Sequence, residues 1–120
     1  MCFLARHVSN GMDFNEYQKK AHTTSFEVEV GEKFVYPMLG LAGEAGEIAN
    51  KVKKIFRDKD GKITEETKED LKKELGDALW YLAELATQLD ISLGEIAEEN
   101  IEKLKSRKER GVLKGGGDNR

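Results

Sequence analysis

The sequence predicts an all-α protein, an antiparallel four-helix-type bundle. Three observations predict it. The 120 residues contain a single proline, Pro37. Long stretches are rich in Glu, Lys, Leu and Ala, all good helix formers. Apolar residues return at steps of three and four in successive segments. A hydrophobic content of 38% over this length suits one domain with a modest core. Residues 1–11 read as an N-terminal extension ahead of a second methionine, Met12, residues 12–110 as the helical domain, and residues 111–120 as a glycine-rich tail.

The first helix is expected to follow Asn15 as N-cap, with Phe14, Tyr17 and Ala21 on one stripe. Residues 23–32 carry no helical period and read as a connection. A second helix should run from near Lys33 to about Phe56, with Pro37 tolerated in its first turn. Its stripe is Leu41, Ala45, Ile48, Val52 and Ile55. The segment from Arg57 to Lys62 is a turn closed by Asp60-Gly61. It is not a calcium loop, because that register puts Phe56 in the first ligand position and Thr67 where a bidentate glutamate belongs. Thr64 can cap a third helix from about Glu65 to Leu89, with the stripe Leu71, Leu75, Ala78, Leu82, Leu85 and Leu89. Asp90-Ile91 breaks it. Ser92 and Glu95 have the spacing of a capping box for a fourth helix to about Arg107, burying Leu93, Ala97, Ile101 and Leu104. The tail should be flexible unless a ligand or neighbouring subunit orders it.

Composition excludes several functions. The net charge is -3 with 36% charged residues, so the basic field that duplex nucleic acid attracts is missing. One cysteine, Cys2, allows neither an intrachain disulfide nor a cysteine zinc site. No apolar run suits a membrane span, and the first seven residues are too short and mixed for a signal peptide. A soluble, cytoplasmic protein is the expectation.

The chemistry sits in two acidic pairs. Glu44-Ala45-Gly46-Glu47 lies in the second helix and Glu74-Leu75-Gly76-Asp77 in the third. Moving each position of the second helix on by thirty residues carries its stripe onto that of the third, and carries Glu44 to Glu74 and Glu47 to Asp77. The two helices are therefore phased alike. Joined by a short turn they should form an antiparallel hairpin, which brings all four carboxylates to one lateral edge. Such a cluster would repel itself or take up protons unless a cation compensates it. Carboxylate ligands favour Mg²⁺, with Mn²⁺ as the alternative. The bland account is that of 23 acidic residues most are solvated; two pairs in matching phase weigh against it. A di-iron bundle would need Glu-x-x-His motifs, which His7 and His22 do not supply.

The pattern resembles the all-α nucleoside triphosphate pyrophosphohydrolases of the MazG type, whose E-x-x-E and E-x-x-D motifs match Glu44, Glu47, Glu74 and Asp77. Gly40-Leu41-Ala42-Gly43 before the first motif and Ala78-Leu79-Trp80-Tyr81-Leu82 after the second extend the likeness over roughly residues 13–120. The resemblance implies a Mg²⁺-dependent hydrolase that converts (deoxy)nucleoside triphosphates to monophosphate and pyrophosphate, in nucleotide pool control or house-cleaning. It implies that Glu44, Glu47, Glu74 and Asp77 hold the metal, with Glu44 or Glu47 as candidate general base. It also implies that Asn100, Lys103 and Arg107, which share a face of the fourth helix at i, i+3 and i+7, meet the nucleotide. Homodimers or homotetramers are expected, with pairing that buries parts of the first and last helices. The alternative from another class is a non-catalytic helical interaction module, which predicts tolerance of Glu47→Gln and Asp77→Asn and no stabilisation by Mg²⁺.

Overall fold

The computed structural model describes residues 11–26, 28 and 31–120; residues 1–10 of the expected extension lie outside the described residues. Four helices and no strand are found among them: α1 (Phe14–His22), α2 (Val35–Lys59), α3 (Glu65–Gln88) and α4 (Leu93–Glu109). The all-α expectation holds.

The helix ends follow local chemistry. Asp13, not Asn15, caps α1, its Oδ1 accepting from the Glu16 amide at 2.8 Å. Asn15 instead ties α1 to α4, its Oδ1 accepting from Ser92 Oγ at 2.7 Å and the Gly94 amide at 3.0 Å. The chain leaves α2 through Asp60 (φ 52°) and Gly61 (φ 74°), two left-handed residues that reverse its direction. Thr64 then opens α3 in a reciprocal box with Thr67: Thr64 Oγ1 accepts from the Thr67 amide and Thr67 Oγ1 from the Thr64 amide. Ser92 caps α4 as expected, accepting from the Glu95 amide.

The predicted hairpin is present. Lys51 meets Glu74, Glu44 lies by Asp77, and Gly40 lies under Tyr81, so the partners run in opposite directions along α2 and α3. Helix α1 packs against the C-terminal half of α3, also antiparallel. Gln18 donates to Thr87 Oγ1, His22 pairs with Glu84, and Trp80 donates to Thr24 Oγ1. Helix α4 packs on α1, where the Gln18 side chain accepts from the Leu93 amide at 2.8 Å.

The core is thin. Ala21, Ala83 and Leu93 are buried together, with Tyr17, Trp80 and Ile96 packed around them. Among the described residues no large side chain is fully buried. The stripe expectations need correcting at several positions. On α3 the buried apolar residues are the small Ala83, packed with Ala21 of α1, and Ala86. Leu75, Leu82 and Leu89, spaced seven apart, are 58%, 36% and 48% exposed. Val52 of α2 and Ile101 and Leu104 of α4 are likewise open. A heptad of leucines facing water is a seam without a partner. No described helix is long and apolar enough to cross a membrane.

Candidate functional site

The site forms where the middles of α2 and α3 face each other. Equal phasing on antiparallel helices puts Glu44, Glu74 and Asp77 on one edge, each with a carboxylate oxygen within 4.8 Å of the others. Glu47 stands one turn further along α2, exposed and outside this trio, though its charge acts on Glu44. Burial pushes the Glu44 carboxyl above its ordinary value; a hydrogen bond with Glu74 and the charges of Asp77, Glu74 and Glu47 push it the same way. Glu44 Oε2 is buried and has no hydrogen-bond partner. The nearby cation is Lys51, whose Nζ lies 3.3 Å from Glu74 Oε1. A buried, unpartnered carboxylate oxygen beside two further carboxylates is what a hard divalent cation requires, so the residues present fit Mg²⁺ or Mn²⁺.

A recess of about 250 Å³ opens on Glu44 and Asp77, walled by Trp80 and Tyr81. The two rings meet edge to face at 5.1 Å, and Tyr36 lies against Tyr81 at 6.3 Å. Burial raises the Tyr81 hydroxyl above its ordinary value, followed by its contact with Tyr36 and the charges of Glu44 and Asp77. Trp80 also lines a cavity of about 500 Å³ bordered by His22, Phe26, Tyr36, Pro37 and Glu84. There the buried Glu84 accepts from His22 Nδ1 at 2.7 Å. Trp80 and Tyr81 are thus both packing residues and walls of open space.

Close packing explains one glycine of this region and not the others. A methyl group at Gly40 would overlap the Tyr81 ring, whereas one at Gly43, Gly46 or Gly76 would meet nothing within 4 Å. Gly40→Ala is therefore expected to displace Tyr81 and lower stability by roughly 1–3 kcal/mol, readable as a lowered urea midpoint. The same change at Gly46 should stabilise, by up to about 1 kcal/mol, because it removes a helix-interior glycine without a clash.

On α4, Asn100 is exposed, while Lys103 and Arg107 converge on the tail. Arg107, 4% exposed, donates from Nη2 to the Asp118 carbonyl at 2.8 Å and to Asp118 Oδ1 at 3.2 Å; Lys103 Nζ lies 3.5 Å from the same Oδ1. The tail, expected to be flexible unless a ligand or neighbouring subunit orders it, lies against α4 in this structure. The Arg120 guanidinium donates to the carbonyls of Val112, Leu113 and Gly117, and Arg110 donates to the Arg120 carbonyl, which closes the segment into a loop against α4. The structure brings the three carboxylates together on α2 and α3, and Lys103 with Arg107 on α4, an element packed on α1.

Sequence reasoning passed over Glu84, Asp118 and the Lys51–Glu74 pair. Glu84 had a signal, a carboxylate seven residues after Asp77 and so on its face, amid apolar neighbours. Asp118 had none beyond its glycine setting.

The family model described as the MazG nucleotide pyrophosphohydrolase domain matches residues 36–112, which contain both acidic motifs and all of α4. The gene 37 protein of Mycobacterium phage L5 is 53% identical over 114 residues, covering 91% of this chain and all of that protein. The protein named "Uncharacterized protein YpjD" of Bacillus subtilis (strain 168) is 39% identical over 70 residues, 58% of this chain and 62% of that one. No solved structure matches. With two antiparallel acidic motifs at its centre and the family model spanning more than half its length, the chain belongs to the MazG nucleotide pyrophosphohydrolase family.

Proposed function

We propose that the protein is a divalent-cation-dependent hydrolase, with Mg²⁺ as its ion and Mn²⁺ as a substitute, that converts (deoxy)nucleoside triphosphates to monophosphate and pyrophosphate. The observation that carries this is the meeting of Glu44, Glu74 and Asp77 around a buried oxygen with no partner. A triphosphate is itself strongly anionic, and carboxylates can face it only across cations. When bound, the metal polarises phosphoryl oxygens and offsets the charge of the leaving pyrophosphate.

Glu44, Glu74 and Asp77 would hold the ion. Glu47 is the better general base of the two first-motif glutamates: it is exposed, a turn away from the trio, and so able to take a proton from the attacking water. The water attacks the α-phosphorus, the bond to the bridging oxygen breaks, and that oxygen leaves with pyrophosphate. Trp80 and Tyr81 give the recess two aromatic walls beside the carboxylates. The adjoining cavity of about 500 Å³ is of a size to take a nucleoside, and Lys103 and Arg107 meet phosphate, with Asn100 on sugar, base or a neighbouring carboxylate. Nucleotide pool control or house-cleaning in the cytoplasm is the setting we assign, and a homodimer or homotetramer the working form.

A panel of normal and damaged nucleoside triphosphates, assayed for pyrophosphate release with Mg²⁺ and with chelator, tests this. Release from at least one triphosphate only with metal is expected. A folded, metal-loaded sample that turns over none of them would overturn the reading.

A further inference from the structure

Arg107 is an odd residue for a helix end. Its side chain is 5% exposed, yet the partners it has are one carbonyl and one carboxylate of the tail, and the Asp118 carboxylate is itself 85% exposed. Its Nε is buried and without a partner. A guanidinium presents Nε and an Nη as a two-pronged edge that matches two oxygens of a phosphate, and here one prong is held and the other idle. Lys103 adds a second cation, directed at the same Asp118 oxygen. Two cations converging on a single exposed carboxylate form an oxyanion site that a small internal anion only half fills.

The segment carrying that anion is built to move as a unit. Arg120 gathers the carbonyls of Val112, Leu113 and Gly117 into a closed loop, so residues 112–120 hold their own shape. The loop joins α4 through Gly111, which has a left-handed φ of 72° and open space around it. Against α4 it is held at its root by the Val112 amide on the Arg107 carbonyl at 2.9 Å, and beyond that by the Asp118 contacts and by Arg110 on the terminal carbonyl. The Lys103 and Arg110 contacts are solvent-exposed and hold weakly, which leaves the part-buried Arg107 contacts as the main hold on Asp118.

We infer that Asp118 is a displaceable internal occupant of a phosphate site made by Lys103 and Arg107, so that the C-terminal loop is a latch which an incoming di- or triphosphate must lift. This rests on the proposed assignment of Lys103 and Arg107 to phosphate, and not on the hydrolytic step. Displacement frees Nη2 and uncovers Nε, giving phosphate the two-pronged edge that Asp118 cannot fill.

The test is calorimetric titration of the full chain with inorganic pyrophosphate in chelator, where the carboxylate cluster can hold no metal and no turnover occurs. Asp118→Asn, at an exposed position that leaves the fold intact, is expected to tighten pyrophosphate binding roughly two- to fivefold. A chain ending at Gly111 should tighten it as well, and Lys103→Ala should weaken it. In wild-type protein the amide resonances of Gly115, Gly116 and Gly117 should shift as pyrophosphate binds. Unchanged or weaker binding in either latch variant, glycine resonances that stay in place, or no pyrophosphate binding at all would each overturn the latch. Metal-dependent pyrophosphate release measured separately keeps the two claims apart: turnover with a failed titration removes the latch alone, and a successful titration without turnover removes the hydrolase alone.

Discussion

Glu44→Gln should lower metal-dependent pyrophosphate release by about 10²- to 10³-fold, the usual loss when one preorganised electrostatic group leaves an active site, while the metal-free protein becomes no less stable. The two halves of this expectation come from the same geometry. Glu44 Oε2 is buried without a partner, and the carboxyl is pushed up by burial and by Glu74, Asp77 and Glu47. Without a cation, then, its charge opposes folding, and a neutral amide of the same shape removes that opposition. With a cation the sign reverses. Ion at 100 times its dissociation constant adds about 2.7 kcal/mol to wild type, a rise in Tm on the order of 10 °C for a domain of this size. The variant should show little of it. Equal activity, or an equal Mg²⁺-induced rise in Tm in both proteins, would remove Glu44 from the metal site.

A pH dependence follows from the same shift. The folded-state value of Glu44 lies above its ordinary, unfolded value. Below the unfolded value the carboxyl is neutral in both states and exerts no penalty. As pH rises through the window up to the folded value, the unfolded chain releases a proton that the folded chain retains, so stability falls. Urea midpoints measured in chelator should decline with pH through this window for wild type and less steeply for Glu44→Gln. A wild-type slope matched by the variant would assign the titration elsewhere.

What was legible in the sequence was what depends on period and phase. The four helices, their caps at Thr64 and Ser92, and the equal phasing of the two acidic motifs all follow from spacing alone, and phasing was enough to bring Glu44, Glu74 and Asp77 together. Periodicity does not say which neighbour an apolar stripe meets. Leu75 and Leu82 fit the helical period as well as any core residue, yet α3 buries Ala83 and Ala86 and leaves the leucines in water. Glu47 shows the same limit at finer scale, since a turn's displacement along α2 separates it from the trio while keeping it in the motif. Contacts between segments remote in sequence were silent too. The His22–Glu84 pair spans 62 residues and Asn15 to Gly94 spans 79, and no local rule couples such positions. Glycine content likewise says nothing of the tail's contacts, in which the Arg120 guanidinium closes the loop by satisfying carbonyls.

The exposed seam leads to the second large effect. Leu75→Asp with Leu82→Asp is expected to convert a dimer or tetramer into a monomer at micromolar concentration and to lower Tm, by an amount that falls with dilution for wild type alone. The argument is one of scale. Among the described residues the buried hydrophobics are Ala21, Ile55, Ala83, Ala86 and Leu93, mostly small, and no large side chain is fully buried. Burying a Leu or Phe contributes only about 1.5–3 kcal/mol, against an ordering cost of 1–2 kcal/mol for each residue's backbone. So thin a core does not hold some hundred residues. Meanwhile Val52, Phe56, Leu75, Leu82, Leu89, Ile101 and Leu104 stand open on α2, α3 and α4. In the proposed homo-oligomer a second copy would supply the same leucine heptad in return, and a symmetric helix pairing of standard size buries about 800 Å² on each side. Sedimentation equilibrium on wild type and the double variant decides the matter. A wild-type chain that sediments as a monomer at 100 μM while remaining folded would show that the open seam serves something other than self-association.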